Sequence, residues 1–564
     1  MNDILRTEAG LNVGARRRPS WLQTEAALLR ILSRQLGPAF EKAKPRLERM
    51  GDLAANEGAR WAAQADRTPP KLVSHDRTGE RIDEIDYHDS YRKLQQLGYG
   101  GGIVAASYDP ALIPERADAP KSLTFGLGYL FGQAEAGLYC PICMTDGAAY
   151  LLQKFGTPEL KARFIPRLGT TNMDQVFTGA MFLTEKQGGS DVGQISTIAK
   201  GGKGVPGETV TLWGDKWFCS NVDADVIMIL ARPENSVPGT RGLGLYVLPK
   251  TLENGKRNAY RVNRIKDKLG ERSFPSGEVT LDGATAYLLG GPGEGFQQMT
   301  VMLNLSRLYN AIASVAVMRR AVVESIDWAE ERVAFGKKVI DHPLMAETLM
   351  DMACEQRLAL NWAFRGVNLM DRLESGKSTE EDRRALRMLT PLLKYVLGKL
   401  AVSICSEGVE ALGGNGYIED WPLARVLRDA QVLPIWEGTT NILVLDTFRA
   451  LRKDNGHEAL FAEVARGISE SPADLQPRLT QMFDELKAAL VELISDATGE
   501  HAWRDWTDRA SFLWNVTTSF SKSLGYGTVT DERAARRVFS KYARSTLLRA
   551  DRANAADVRA IAYT

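Results

Sequence analysis

Two sequence patterns meet at Met181-Phe-Leu-Thr-Glu-Lys-Gln-Gly-Gly-Ser-Asp-Val-Gly193. Before this stretch, apolar residues recur every three to four positions, as over Leu28 to Met50, and predict helices. After it, short β-branched runs separated by Gly, Pro, Asn and Asp predict an antiparallel β domain. The glycines of the stretch let backbone N–H groups approach an anion, and Thr184 and Ser190 offer hydroxyl donors. Taken alone, such a stretch is more often an ordinary β-turn.

Strand-like runs follow this turn, and long helical segments follow the strands. The strand-like runs are Val210–Gly214, Ala224–Leu230, Gly242–Leu248 and Ser276–Leu281. The predicted helices span 297–335, 342–373, 380–413 and 437–453, each with an apolar stripe, and together they predict a bundle. The sequence therefore divides into an N-terminal helical domain (1–178), a β domain (179–295), a helical bundle (296–454) and an additional helical domain (455–564).

Charge and cysteine usage restrict the class of protein. A formal net charge of +1 points to neither nucleic acid nor an anionic membrane as a partner. The first residues lack a signal-peptide core, and no uninterrupted apolar run approaches the roughly 20 residues of a bilayer span, so we expect a cytoplasmic protein without a membrane segment. Cys140-Pro-Ile-Cys143 has zinc or redox spacing, but no second pair completes a four-thiolate site. We expect buried helix cysteines and no metal.

Two further clusters could contact a flat cofactor with phosphates. In Gly214-Asp-Lys-Trp-Phe-Cys-Ser-Asn221, adjacent aromatics and a hydroxyl could stack on a ring and hydrogen-bond its edge, or simply form a strand with one aromatic in the core. Glu331-Arg-Val-Ala-Phe-Gly-Lys337 ends a predicted helix. Its Arg332 would either complement the helix dipole or bind a pyrophosphate in bidentate fashion.

The last two clusters lie close together in the sequence. Glu410-Ala-Leu-Gly-Gly-Asn-Gly-Tyr417 follows a helix rather than a strand, which argues against a dinucleotide fingerprint and favours a glycine-rich helix end as the simpler interpretation. Ile435-Trp-Glu-Gly-Thr-Thr-Asn441 places Glu437 where the next helix is predicted to begin. A glutamate there is commonly a first-turn residue favoured by the helix dipole.

In this order, and across helices, a β domain and helices again, the clusters resemble the acyl-CoA dehydrogenase family over residues 80–450. The Thr184–Asp191 and Lys216–Asn221 blocks and the extension beyond residue 455 are most similar to the AidB branch of adaptive alkylation-response flavoproteins. The resemblance implies a mixed α and β fold: an N-terminal helical domain, a middle antiparallel β domain, a C-terminal four-helix bundle and an extra C-terminal helical domain. It also implies FAD as the cofactor and a homo-oligomer, a homotetramer or at least a dimer.

The resemblance assigns roles position by position. Glu437 matches the general base, and Arg307 matches the arginine beside that base. The residues that would contact the flavin ring and its pyrophosphate are Leu183, Thr184, Gly189, Ser190, Phe218 and Ser220, with Thr439 and Asn441 flanking the pyrophosphate. The residues that would reach the FAD of a neighbouring subunit are Arg332, Phe335, Glu410, Gly413 and Gly414.

Several of these positions depart from the family pattern. Phe218 replaces the usual tryptophan over the flavin, and Ser220 replaces the usual threonine. Asn304 stands where many relatives carry aspartate, so its pairing with Arg307 would lose one charge. Some relatives carry the base just before that arginine, but Ser306 cannot act as a base, which leaves Glu437 alone in that role.

The implied reaction converts an acyl-CoA thioester to a trans-2-enoyl-CoA. Glu437 would abstract the α-proton, flavin N5 would accept the β-hydride, and electron-transfer flavoprotein would accept the electrons. Two alternatives stay open: an oxidase that uses oxygen, and a DNA-associated flavoprotein with vestigial activity, as proposed for the AidB branch. The cations that could bind DNA are Arg533, Arg536, Arg537, Lys541 and Arg544. Their spacing places several on one helical face, which we interpret as solvated, so nucleic acid is not an expected partner.

Overall fold

The computed structural model describes residues 17–495, 500–542 and 553–564. These residues form two compact units. One, the helical unit, comprises the described residues up to Asn56, Pro114–Ala134 and Asn310–Thr564; the other, the sheet unit, comprises Glu57–Ile113 and Glu135–Tyr309. The four-domain division of the sequence at residues 178, 295 and 454 stays a prediction, because the units follow proximity in space rather than order along the chain.

Helices make up most of the described chain. In chain order they are α1 (Ala26–Leu36), α2 (Phe40–Leu53), α3 (Ala59–Arg67), α4 (Asp89–Gly98), α5 (Ala105–Tyr108), α6 (Ile113–Arg116), α7 (Pro120–Gly132), α8 (Tyr139–Phe155), α9 (Pro158–Leu168), α10 (Gly295–Glu331), α11 (Pro343–Glu374), α12 (Glu380–Leu412), α13 (Gly414–Tyr417), α14 (Pro422–Ala430), α15 (Thr440–Asp454), α16 (Gly456–Ser469), α17 (Gln476–Ser495), α18 (Glu500–Phe520), α19 (Val529–Tyr542) and α20 (Ala555–Tyr563).

The long helices confirm the predicted segments, with two differences at their ends. Helix α10 ends at Glu331 rather than at 335, because Phe335 and Gly336 have φ angles of 51° and 83° and form the turn of a short hairpin. Helix α15 begins at Thr440 rather than at 437. The left-handed φ angles of Glu437 (62°) and Gly438 (106°) are incompatible with a helix there, so Glu437 is a loop residue.

The strands are β1 (Lys71–His75), β2 (Arg81–Asp86), β3 (Gly179–Phe182), β4 (Ile198–Lys200), β5 (Thr209–Ser220), β6 (Val226–Pro233), β7 (Gly244–Pro249), β8 (Tyr260–Ile265), β9 (Ser276–Leu289), β10 (Val333–Ala334) and β11 (Lys337–Lys338). Strands β3 to β9 form one sheet in the order β3-β6-β4-β5-β9-β7, with β8 on β9 and a further β6–β7 pairing. Most pairs are antiparallel, but β3 and β4 pair with β6 in parallel, so the predicted antiparallel domain is a mixed sheet.

The long β5–β9 ladder organises the sheet unit. It runs in antiparallel register from Thr209 opposite Tyr287 to Ser220 opposite Ser276. Apolar side chains alternate along these strands and pack into a buried core that includes Leu212, Ile229, Val279, Leu281 and Ala284. Burying one face of the sheet in this way fixes the strand register, because a slip by one residue would turn every core side chain outward.

A β1–β2 hairpin interrupts the N-terminal helices and was not predicted. Its strands are largely exposed and pair antiparallel from Lys71 opposite Asp86. The hairpin is fixed to strand β8 by the Val262 N–H, which donates to Asp83 Oδ2 at 3.0 Å, and by Arg81, which donates to the Val262 carbonyl at 2.8 Å. These contacts are distant in sequence, which explains why local periodicity did not reveal them.

In the part of the chain that the structure describes, two helices are long and apolar enough, by composition, to cross a membrane. The most apolar 18-residue windows of α10 and α12 have mean hydropathies of 1.3 and 1.4, but 83% and 72% of these two windows are buried inside the protein. Such burial is what core helices of a helical bundle show. The absence of a membrane segment therefore stays a prediction.

Candidate flavin and base sites

The glycine-rich turn lies beside strand β5. The Trp217 N–H donates to the Thr184 carbonyl at 2.9 Å and joins the turn to this strand. A Cβ atom on Gly189 would come within 2.6 Å of the Thr184 hydroxyl oxygen, so only glycine allows the turn to close over that hydroxyl. The structure thus brings the predicted contacts of the Leu183–Ser190 turn next to Phe218 and Ser220.

A buried carboxylate that the sequence did not single out supports this turn. Glu185 accepts hydrogen bonds from the N–H and hydroxyl groups of both Ser196 and Thr197, at 2.6–3.1 Å, and pairs with Lys216 Nζ at 2.9 Å. Burial would raise the pKa of Glu185, but the Lys216 ammonium and these hydrogen bonds lower it to about 2. The available sequence signal was an acidic residue next to Thr184 and a lysine beside Trp217.

We expect Glu185→Gln to loosen the turn. A hydrogen bond between charged groups contributes about 1.5–3 kcal/mol to the free energy of unfolding, and glutamine removes the charge of one partner. The temperature at which the holoenzyme releases FAD should therefore fall by several degrees. Glu234→Gln, an exposed change in the same unit, is the control. Because the folded pKa of Glu185 lies below its ordinary value, its stabilisation is present above about pH 4.5 and is lost as the pH falls toward 2. A variant with the release temperature of the wild type at pH 7 would contradict this role.

Strand β5 presents an aromatic ring to solvent. Phe218 is 52% exposed, Trp217 is half-buried and Cys219 faces the core, so neither adjacent aromatic is the core residue that the simpler hypothesis required. Lys266 Nζ lies 3.6 Å from the Trp217 ring centroid and 4.7 Å from that of Phe218. Ser220 Oγ lies 3.2 Å from Ser276 Oγ at the end of the strand. An accessible ring, a hydroxyl at the strand end and the hydroxyls of the glycine-rich turn together fit the ring and phosphates of a flavin dinucleotide.

Arg307 lies on α10, in the part that belongs to the sheet unit. Its side chain is largely buried, and Nη1 donates to Asn304 Oδ1 at 3.0 Å. The pairing predicted from the sequence is therefore present with a neutral acceptor. Ser306 accepts a hydrogen bond from the Cys143 thiol at 3.3 Å. Cys140 and Cys143 both lie in helix α8, as expected, but only Cys143 is buried, whereas Cys140 is half-buried. Among the residues that the structure describes, no group of three or more His, Cys, Asp or Glu side chains is arranged to hold a metal.

Glu437 lies in the loop between α14 and α15 of the helical unit. It is half-buried and left-handed, and it is followed by Gly438. Thr439 is the N-cap residue of α15, and both Thr439 and Asn441 are exposed at the start of this 15-residue helix. The N-terminus of a helix favours phosphate, so the predicted pyrophosphate role suits these two positions.

The remaining predicted contacts lie at one end of the bundle. Phe335 is 98% exposed at the tip of the β10–β11 hairpin. The Arg332 guanidinium lies over the Trp328 ring, whose edge contacts Trp421 at 4.9 Å between centroids. A Cβ atom on Gly408 would lie 3.2 Å from Ser325 Oγ, which shows how closely the ends of α10 and α12 approach each other.

The glycine-rich loop at this end is a helix cap, as the simpler interpretation of the sequence predicted. Gly413 ends α12 with a φ angle of 64°, and its N–H donates to the Glu410 carbonyl at 2.8 Å. A Cβ atom would meet open space at both Gly413 and Gly414. Capping alone therefore explains the first glycine, while the open surface around both is compatible with contact to another molecule.

Comparisons with known proteins agree with this arrangement. Residues 14–175 match the model of the adaptive response protein AidB N-terminal domain, 180–284 that of the acyl-CoA dehydrogenase middle domain and 293–451 that of the acyl-CoA dehydrogenase C-terminal domain. The chain belongs to the acyl-CoA dehydrogenase family, whose members are oxidoreductases with FAD as cofactor. Its first domain match places it with the AidB branch. The predicted family, branch, fold class and cofactor are thereby confirmed, while the individual site roles stay predictions.

Similar proteins cover most of the chain. Acyl-CoA dehydrogenase family member 11 of Caenorhabditis elegans is 37% identical over 457 residues, which are 79% of this chain and 73% of the relative. Putative acyl-CoA dehydrogenase AidB of Escherichia coli (strain K12) is 33% identical over 454 residues, or 79% of this chain and 81% of the relative. The crystal structure of C. elegans ACDH-11 in complex with C11-CoA has a TM-score of 0.85 at 31% identity and covers 93% of this chain and 92% of that one.

Proposed function

We propose that this protein catalyses α,β-dehydrogenation of an acyl-CoA thioester to a trans-2-enoyl-CoA, with Glu437 as the base. The observation that carries the proposal is the backbone of Glu437, a non-glycine residue in the left-handed region beside Gly438. That conformation costs of order 1–3 kcal/mol and persists only where surrounding structure imposes it, typically at functional sites. A C11-CoA complex of the C. elegans relative supports an acyl-CoA as the substrate.

The chemistry requires a base and polarisation of the thioester carbonyl. The Glu437 carboxylate accepts the α-proton, and the electron pair of that C–H bond forms the new double bond as the β-hydrogen departs. FAD, when bound, supplies the acceptor for the β-hydrogen, which leaves as a hydride. In this proposal the backbone N–H of Glu437 donates to the thioester oxygen. A donor aimed at developing negative charge lowers the barrier by roughly 3–4 kcal/mol.

Product analysis tests the proposed reaction. The purified holoenzyme is incubated with straight, branched and aromatic acyl-CoAs and an artificial electron acceptor, and the thioesters are analysed by mass spectrometry. We expect at least one acyl class to yield a product two hydrogens lighter than its substrate. A holoenzyme that holds FAD yet dehydrogenates none of these thioesters would contradict the proposal.

The electron acceptor separates a dehydrogenase from an oxidase. We propose electron-transfer flavoprotein as the acceptor, in keeping with the family to which the chain belongs. Turnover in air with the substrate found above should then release little hydrogen peroxide, and added electron-transfer flavoprotein should restore turnover. Stoichiometric peroxide in air would identify an oxidase instead.

We further propose that the exposed end of the bundle contributes to the FAD site of a second copy in a homotetramer. The surface includes Arg332, Phe335 and the Gly413–Gly414 loop, all exposed. The Phe335 ring is 98% exposed and is therefore accessible to another molecule. A cytoplasmic location also stays part of the proposal.

We expect Phe335→Ala to weaken FAD retention and subunit association without lowering the stability of the chain. Loss of one aromatic contact corresponds to about 0.5–1.5 kcal/mol, or roughly 2–10-fold in dissociation constant. The ratio of flavin to protein absorbance after dialysis, together with light scattering, measures both effects. Val529→Ala, at a position 86% exposed, is the control. Equal flavin content and mass in both variants would contradict this role.

The DNA-associated alternative gains no support from the basic helix α19. Its described cations form ion pairs within the helical unit: Arg533–Asp557, Arg536–Asp474, Arg537–Asp351 and Lys541–Glu355. Arg544 lies outside the described residues. Phosphate-driven binding needs cations that are available to replace counterions, so a DNA gel shift should be absent at 50–200 mM salt. A shift that weakens steeply with salt would revive the alternative.

A further inference from the structure

The loop that carries Glu437 is attached to two long helices through its backbone carbonyls. On one side of Glu437, Asn310 of α10 donates through Nδ2 to the Leu433 carbonyl at 3.2 Å. On the other side, Lys394 of α12 donates through Nζ to the Gly438 carbonyl. The two attachment points are five residues apart and enclose the proposed base.

Burial of the Lys394 side chain is energetically unfavourable unless its ammonium group has partners. Its side chain is 0% exposed, although ammonium groups are almost never fully buried unless they have partners. Its bond to the Gly438 carbonyl fixes the residue directly after Glu437. The Gly438 carbonyl lies in the peptide plane that Gly438 shares with Thr439, so this bond constrains the ψ angle of Gly438 and fixes the chain immediately after Glu437.

Asn310 shows the same pattern on the other side of the loop. The residue is buried, its Nδ2 donates to Leu433, and its Oδ1 is buried with no hydrogen-bond partner among the described residues. An amide with an unsatisfied oxygen is unfavourable compared with an apolar side chain of the same size. The Asn310 side chain therefore contributes mainly through its Nδ2 donor, which fixes the loop at Leu433.

A glycine on α12 allows the loop to approach this closely. Gly398 lies one helical turn after Lys394, and a Cβ atom there would be 3.0 Å from the Leu433 carbonyl oxygen and 3.3 Å from Pro434 N. Any side chain would push the loop away from the helix. Asn310, Lys394 and Gly398 together therefore fix the distance between this loop and helices α10 and α12.

We propose that Lys394 and Asn310 are positioning residues for the base: by fixing the Gly438 and Leu433 carbonyls they keep Glu437 in its left-handed conformation, so that its carboxylate meets the α-carbon of the substrate. This inference rests on the proposed function. A displacement of about 1 Å of a reacting group can cost about 100-fold in rate, so the two bonds act on the proton-transfer step rather than on substrate affinity.

Lys394→Met and Asn310→Leu, which keep the side-chain size and remove the donors, test the proposal. Lys399→Met is the matched control, because Lys399 lies on the same helix and is exposed. Stopped-flow mixing of each holoenzyme with a reactive acyl-CoA gives the limiting rate of flavin bleaching and the half-saturating concentration. Hydrogen–deuterium exchange of amides in residues 433–439 gives a readout that is independent of activity.

We expect the limiting rate to fall about 100-fold for Lys394→Met and by a smaller factor for Asn310→Leu, with half-saturation changed less than threefold. Amide exchange in the loop should accelerate in both variants and not in Lys399→Met. If Lys394→Met does not retain FAD, Asn310→Leu alone decides the question. A variant with wild-type bleaching and exchange would overturn the inference, whereas a wild type that no thioester bleaches would overturn the proposed function instead.

Discussion

Glu437→Gln should retain FAD and react with acyl-CoA about 10²–10⁴-fold more slowly than the wild type, because an amide of the same shape cannot accept the α-proton. The left-handed backbone at this position is equally accessible to glutamine, so folding should be unaffected. Stopped-flow bleaching of the visible flavin band with a saturating thioester measures the loss. The half-saturating concentration should change little, since the carboxylate acts in the transition state.

Glu407→Gln is the control for this variant. Glu407 lies on α12 in the same unit and is exposed, so its neutralisation changes the net charge equally without touching the base loop. The control should react at the wild-type rate. If Glu437→Gln itself bleached its flavin at that rate, Glu437 would not be the base.

Asp531→Ala should destabilise the helical unit by about 3–5 kcal/mol, because it removes one partner from a buried ion network. Asp531 is fully buried on α19 and pairs with Arg357 of α11 at 2.7 Å and with Arg30 of α1 at 2.9 Å. Asn361 and Thr528 donate to the same carboxylate at 3.1 and 2.7 Å. Burial would raise the pKa of Asp531, but the two arginines and Thr528 lower it, so the group is a carboxylate.

Thermal unfolding and limited proteolysis measure this effect. The melting temperature should fall by roughly 2–4 °C for each kcal/mol lost, and α18 to α20 should become accessible to protease first. Asp505→Ala, which breaks an exposed i,i+4 pair with Arg509, should change the melting temperature by less than about 2 °C. A melting temperature for Asp531→Ala equal to that of this control would show that the C-terminal helices are not held by the network.

The sequence predicted the elements whose signal is local. Long apolar stripes gave α10, α11, α12 and α15 within a few residues, and β-branched runs gave the strands of the main sheet. The glycine-rich cap at Gly413 and the pairing of Arg307 with Asn304 were also visible, because each depends on neighbours in the chain. The position of Glu437 was identified, but its left-handed backbone was not, since glutamate has no preference for that region.

Contacts between residues far apart in sequence escaped prediction. The parallel pairing of β3 with β6 depends on a crossover that no local pattern encodes. The networks around Glu185 and Asp531, and the anchoring of the Glu437 loop by Lys394, join residues that lie between about 10 and 500 positions apart. Each consists of ordinary charged residues whose partners become known only when the chain is folded.

We propose that this protein removes two hydrogens from an acyl-CoA with FAD bound. Anaerobic titration of the purified holoenzyme with a panel of acyl-CoAs, followed in the visible spectrum, tests it most directly. We expect the flavin band to bleach with at least one acyl class and to recover when electron-transfer flavoprotein or another oxidant is added. A protein that binds FAD but keeps its flavin spectrum with every thioester would not be an acyl-CoA dehydrogenase.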